Sequence, residues 1–144
     1  MLRKMNIATG IVVDKPTKLG NIYPRDVIER VVKDFNIRAM NYPNKGSELN
    51  PRRIEKVDDP SHITKKMFIN SSNMLCAEIE ILDSEAGHAL LNKIIGGKQV
   101  VARPIMNIPS YIADGKDSNC KHAPMVVNEI NSIMRVQIEC DGES

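Results

Sequence analysis

Tryptophan is absent from this 144-residue chain, and three tyrosines and two phenylalanines make up its whole aromatic content. Single-stranded nucleic-acid binders stack bases on aromatic side chains, and that chemistry has little to stand on here. An excess of one charge is missing too. Twenty basic side chains face 18 acidic ones, a net charge of +2, whereas phosphate backbones are held by a concentrated basic face. The densest basic cluster, Pro51-Arg52-Arg53, is diluted at once by Glu55, Asp58 and Asp59 and reads as a solvated loop. Both observations argue against a nucleic-acid partner. The longest uninterrupted apolar run is the four residues 74–77, far below the roughly 20 that a membrane-crossing helix needs. The opening Met1-Leu2-Arg3-Lys4-Met5-Asn6 lacks the apolar stretch of a signal peptide, so a cytosolic compartment is expected.

Cysteine is scarce, and Cys76, Cys120 and Cys140 can neither all pair within one chain nor match a zinc spacing. They read as reduced thiols. Cys76 and Cys140 each fall in an apolar alternation, where a free cysteine behaves as a small hydrophobe. No Gly-x-Ser-x-Gly, P-loop or Gly-x-Gly-x-x-Gly segment occurs, and there is no internal repeat or low-complexity tract. With 42% apolar and 26% charged residues, the composition is that of one globular domain over residues 1–144.

Several elements are legible. Residues 7–13 are short and β-branched and run into Asp14-Lys15-Pro16, which marks a strand and its end. Pro24 opens a helix over 24–36, with Val27, Ile28, Val31, Val32 and Phe35 at helical spacing and charges on the other face. Residues 37–61 hold few apolar anchors and read as a long connection. Residues 63–69 and 74–82 form a hairpin about Asn70-Ser71-Ser72-Asn73, with Leu75, Ala77, Ile79 and Ile81 inward and Glu78 and Glu80 toward water. A second helix spans 84–95, carrying Leu90, Leu91, Ile94 and Ile95 inward and ending at Gly96-Gly97. Residues 98–103 are a strand closed by Pro104, and 109–124 are a polar excursion. Residues 125–127 make a short strand. In the last strand Met134, Val136, Ile138 and Cys140 alternate inward against Arg135, Gln137 and Glu139. This order predicts an α+β fold, a small antiparallel β-barrel or sheet with two packed helices.

Of three histidines, none sits in a ligand-spaced cluster. His88 reads as surface, and His122, beside Cys120, reads as exposed rather than as a metal ligand. His62 follows Ser61 at the start of a strand, where a structural hydrogen bond outweighs catalysis. No metal or cofactor is expected.

The order of short motifs resembles a family. Asn21-Ile22-Tyr23-Pro24 before an amphipathic helix looks like the Asn-(Gly)-Arg-x-Tyr-Pro opening of tailed-phage prohead (head maturation) proteases. Gly46-Ser47-Glu48-Leu49-Asn50-Pro51 resembles their Gly-Glu-Leu-x-His-Pro segment, and Ser61-His62-Ile63 matches their Ser-His-Ile. The stretch Ile79-Glu80-Ile81-Leu82-Asp83-Ser84-Glu85-Ala86-Gly87 matches Ile-x-Ile-Leu-Asn/Asp-Thr-Pro-x-Gly. Gly96-Gly97-Lys98-Gln99-Val100-Val101-Ala102-Arg103 stands where the family has Gly-x-x-x-Gly-Val-Ser-Ser-Arg.

The resemblance implies an assemblin-like barrel ringed by helices, in which a serine attacks the scissile carbonyl and a histidine takes its proton. In this chain Asn50 stands at the family histidine and Val101 or Ala102 at the family serine, with His62 left as a residual third position. The expectation is therefore an inactive relative with no catalytic residues. It would act as a virion or capsid-assembly component (minor capsid, decoration or cement protein) in the host cytoplasm and the virion. Its implied partners are capsid or other virion proteins, or the scaffold or active protease, within a multi-copy assembly, with 37–61 and 104–124 as docking loops. The alternatives are a regulator of the active protease, or a serine protease with a displaced site that uses Ser110 or Ser61 with His62. A small nucleic-acid-binding module ranks last.

Overall fold

Residues 7–12 of the strand expected over 7–13 belong to a longer strand, β1 (Lys4–Val12), of the computed structural model, which describes residues 3–48, 59–109 and 125–140. Gly10 interrupts β1 with φ of +83°, a left-handed conformation that glycine adopts without steric strain. The register of β1 shifts between Ala8 and Val12, the mark of a bulge. Thr9 holds it, its buried hydroxyl donating to the Leu75 carbonyl at 2.8 Å and accepting from the Ile11 N–H at 3.1 Å. β2 (Asn21–Ile22) follows, and then α1 (Arg25–Asn41). Pro24 is the residue just outside α1 and offers no side-chain cap. The carboxylate of Asp14 takes its place, accepting from the Arg25 N–H at 3.0 Å.

α1 outruns its expected end at residue 36 by five residues. Its later turns are fixed by tertiary contacts, not by an apolar stripe. The carboxamide of Asn36 pairs with both backbone groups of Met67, at 2.8 and 2.9 Å, and the Arg38 guanidinium donates to the Ile133 carbonyl at 3.0 Å. The region expected to be one long connection also contains β3 (Asn44–Gly46), too short for alternation to reveal. Residues 49–58 lie outside the described part.

The hairpin forms as expected, from β4 (His62–Ile69) and β5 (Met74–Ile81). Leu75, Ala77, Ile79 and Ile81 are at most 2% exposed, while Glu78 and Glu80 are half-buried on the opposite face. Burying each of the larger side chains contributes roughly 1.5–3 kcal/mol against leaving it in water. Strands β1-β5-β4-β3 form an antiparallel sheet in that order. α2 (Glu85–Ile95) is capped by Ser84, whose hydroxyl accepts from the Gly87 N–H at 3.0 Å. Leu90 and Leu91 are buried, but Ile95 is 71% exposed, contrary to expectation. It falls at the edge of the stripe that Leu90, Leu91 and Ile94 define, in the last residue of the helix.

β6 (Val100–Asn107) runs through Pro104 instead of stopping there. Among the described residues it pairs only with β8 (Ser132–Cys140), so a position without an N–H breaks no second ladder there. In β8, Met134 is 46% exposed instead of inward. Ile105 opposes Arg135 while Met106 opposes Ile133, so Met134 is the extra residue of a bulge, and the parity changes there. Ile133, Val136, Gln137 and Ile138 are the fully buried residues. β7 (Met125–Val126) pairs in parallel with β2.

Among the described residues the architecture is α+β, as expected, with two helices, antiparallel β1-β5-β4-β3 and β6-β8 sheets and the short parallel β2-β7 pair, but these strands do not hydrogen-bond into a closed barrel. They form a four-stranded sheet and two two-stranded ones. β3 runs parallel beside β8, joined by a bridge between Glu48 and Ile138, while β6 packs along β1 without a ladder. Closure depends on strand tilt and stagger, which residue alternation does not encode.

Candidate functional site

Of the residues singled out by the motifs, Gly46, Ser47, Glu48, Ser61 and His62 gather around the junction of β3, β4 and β8. Along it Asn44 meets Met134, Ser47 meets Gln137 and Glu48 meets Ile138, a constant offset of 90 residues. His62, at the start of β4, is fully buried. One ring nitrogen, Nε2, lies 2.7 Å from the Val136 carbonyl oxygen, and the other, Nδ1, lies 2.8 Å from the Ser61 hydroxyl. A carbonyl only accepts, so Nε2 carries the proton, and the neutral ring then accepts the Ser61 hydroxyl proton at Nδ1. Burial holds the His62 pKa below the usual histidine value, partly offset by the Val136 carbonyl. The ring is neutral at pH 7.

Gly46 makes this contact possible. A Cβ at that position would come within 2.2 Å of the Val136 oxygen and 2.6 Å of His62 Nε2. The next residue, Ser47, is locked to the buried Gln137 side chain, whose Oε1 accepts from the Ser47 N–H at 2.9 Å and whose Nε2 donates to the Ser47 hydroxyl at 3.1 Å. Glu48 pairs with Lys93 of α2 at 2.5 Å.

Across β8 lie Val101 and Ala102, the two residues that the motif resemblance sets against the family serine. Val101 is half-buried and opposes Glu139, while Ala102 is fully buried and opposes Ile138. Ile138 thus neighbours both Ala102 on one side and Glu48 on the other, and strand spacing places those two backbones about 10 Å apart. Val101 and Ala102 bring only hydrocarbon to that point. Asn50, Ser110, Cys120 and His122 lie outside the described residues. Ser61 and His62 are in contact, yet both have 0% exposure. His88 is on the surface as expected and lies 2.6 Å from the Asp83 carboxylate; His88 and then Arg3 hold that carboxyl below its ordinary range. Among the described residues no three His, Cys, Asp or Glu side chains come together as metal ligands.

Sequence reasoning placed Gln137 on a wet face and Gly46 in a loop, and it missed their part in the junction. The motif Gly46-Ser47-Glu48 was a signal that this short segment is built into the fold.

Comparison with solved structures decides what this arrangement resembles. The chain superposes on the structure of the bacteriophage T4 capsid assembly protease, gp21, with a TM-score of 0.65 over 94% of this chain and 80% of that one, at 15% sequence identity. The fold is prohead-protease-like. No protein-family model and no curated protein sequence matches the chain. The prohead-protease-like fold therefore rests on the backbone superposition. Within it, the motif segments of β3, β4 and β6 converge on β8. No helix among the described residues is long and apolar enough to cross a membrane.

Proposed function

We propose that this chain is a catalytically inactive prohead-protease-like protein that serves as a capsid-assembly or virion component, as a minor capsid, decoration or cement protein. One observation supports the reading: Val101 and Ala102, which the motif resemblance sets against the family serine, bring only hydrocarbon to β6, and Ala102 is wholly enclosed by the core. Neither side chain holds an atom that can attack a carbonyl. Capsid or scaffold proteins are its partners, in the virion and in the host cytoplasm during assembly, and the barrel-like scaffold works by binding. A chain of this kind can also restrain the active protease by occupying the same partners.

A second reading is favoured by the 2.8 Å contact between the Ser61 hydroxyl and His62. A histidine that accepts a serine hydroxyl proton and is oriented on its far side by a carbonyl has the ingredients of a nucleophilic pair. Against it, both side chains are buried, and burial opposes the imidazolium that proton transfer would create. The test is incubation of the purified protein with a serine-directed fluorophosphonate and, separately, with capsid and scaffold proteins. Absence of labelling and of cleavage, with co-sedimentation on proheads, is expected. Labelling of one serine, abolished by Ser61→Ala, would replace the inactive reading with the enzymatic one.

A further inference from the structure

The polar contacts at the β3–β4–β8 junction repeat from one cross-strand pair to the next. In the first repeat Gly46 on β3 opposes His62 on β4, and the His62 ring reaches across to the Val136 carbonyl of β8. In the second, Asn44 opposes Thr64, and the asparagine is the residue that reaches β8, its Nδ2 donating to the Met134 carbonyl at 3.0 Å. Directly opposed residues of an antiparallel pair project from the same face, with Cβ atoms about 4.5–5.5 Å apart. Thr64 is fully buried, and the carboxamide oxygen of Asn44 is shielded from solvent as well. Yet neither Thr64 Oγ1 nor Asn44 Oδ1 finds a hydrogen-bond partner among the described residues. Two neighbouring side chains thus each hold a desolvated polar atom, a combination that folded proteins rarely leave unsatisfied.

The chemistry of the two atoms says what fits them. Asn44 Oδ1 only accepts, whereas the Thr64 hydroxyl both donates and accepts. The pair brings no charge. Calcium and magnesium surround themselves with six or more oxygens, so two neutral side-chain oxygens are too few for either. An anion would face the negative end of the Asn44 carboxamide dipole. A neutral ligand that donates to Oδ1 and exchanges a hydrogen bond with the hydroxyl satisfies both atoms, and their burial restricts it to a very small one.

We propose that a single structural water molecule bridges Asn44 Oδ1 and Thr64 Oγ1. It donates one proton to the carboxamide oxygen and shares a hydrogen bond with the hydroxyl, so the Asn44–Thr64 pair is tied together as the Gly46–His62 pair is by close contact. Asn44 then links β4, through the water, to the Met134 carbonyl of β8. This site is independent of the catalytic status of the chain.

The test is high-resolution crystallography of the full-length protein beside Thr64→Ser and Thr64→Val. One ordered water within hydrogen-bond distance of both oxygens is expected in the unaltered protein. Thr64→Ser should keep it and Thr64→Val should lose it. In solution, oxygen-17 relaxation dispersion of the water signal counts long-lived internal waters, and Thr64→Val should show one fewer than the unaltered protein. The proposal is overturned if the Thr64 hydroxyl bonds directly to Asn44 Oδ1 with no water between them, if a water touches only one of the two oxygens, or if the water survives Thr64→Val. Should Thr64→Val fail to fold, the structure of the unaltered protein decides alone.

Discussion

Two seams join the four-stranded sheet to the β6–β8 pair, and they are made of different chemistry. At the β3–β8 seam the contacts are polar and directional: His62 to Val136, Gln137 to Ser47, Asn44 to the Met134 carbonyl, and the Ile138 N–H to the Ser47 carbonyl at 3.1 Å. At the β1–β6 seam strands pack side by side without a ladder, with Ile7, Ile11 and Ala102 in the shared core. Apolar packing tolerates small slips because it is non-directional. Hydrogen bonds to the buried His62 and Gln137 side chains do not, since a misplaced partner leaves a desolvated polar group unpaired, at about 1–3 kcal/mol each. The polar seam therefore sets the register between the sheets, and the apolar seam supplies bulk stabilisation. Substitutions in the two should differ in size and in pH dependence.

The largest effect belongs to Gly46→Ala. The new methyl group meets backbone oxygen at 2.2 Å and the His62 ring at 2.6 Å, and neither is the free end of a flexible side chain. Overpacking together with the loss of the His62–Val136 bond should cost about 3–4 kcal/mol. Urea unfolding would register this as a large drop in midpoint. A drop below about 1 kcal/mol would mean that the seam is loose.

Next in size is the acid response. The folded-state pKa of His62 lies below its unfolded value near 6.5, so the unfolded chain binds the extra proton first. The stabilisation is complete above about pH 6.5 and is lost as pH falls through the folded pKa. His62→Gln should flatten this slope between pH 7 and 5 in thermal-denaturation scans, while variants in the β1–β6 seam should keep it.

Ala102→Ser tests the apolar seam and the functional reading together. It restores the family's residue type on β6, but into a site with no exposure. Burying an unpartnered hydroxyl should cost roughly 1–3 kcal/mol, and no fluorophosphonate labelling should appear. Labelling of that serine would show that only the nucleophile had been missing.

The contrast also explains how much could be read from residues alone. β5 was legible because Leu75, Ala77, Ile79 and Ile81 alternate strictly, and α2 because Ser84 and Gly96 punctuate a clear stripe. Both signals are local. Gly46, Ser47 and Gln137 were misplaced because their roles depend on a partner 90 residues away, and a polar side chain in a strand looks the same whether water or another strand faces it. Met134 was misplaced by the β8 bulge, which reverses parity without any change in composition. Of the candidate site, the family motifs drew together segments that the fold places side by side, but their local patterns could not say that β8 runs between them.

The smallest expected effect lies on β1. Gly10 has φ of +83° and open space where a Cβ would stand, so Gly10→Ala incurs conformational strain but no collision. Left-handed backbone costs an ordinary residue about 1–2 kcal/mol, and the lower chain entropy of alanine in the unfolded state offsets part of it. A net loss near 1 kcal/mol is expected. Gly10→Asn should lose less, because asparagine visits that region more readily. If both variants were as damaging as Gly46→Ala, β1 would be a register-setting element in its own right. A graded response confined to backbone preference would instead place register control at the β3–β8 seam.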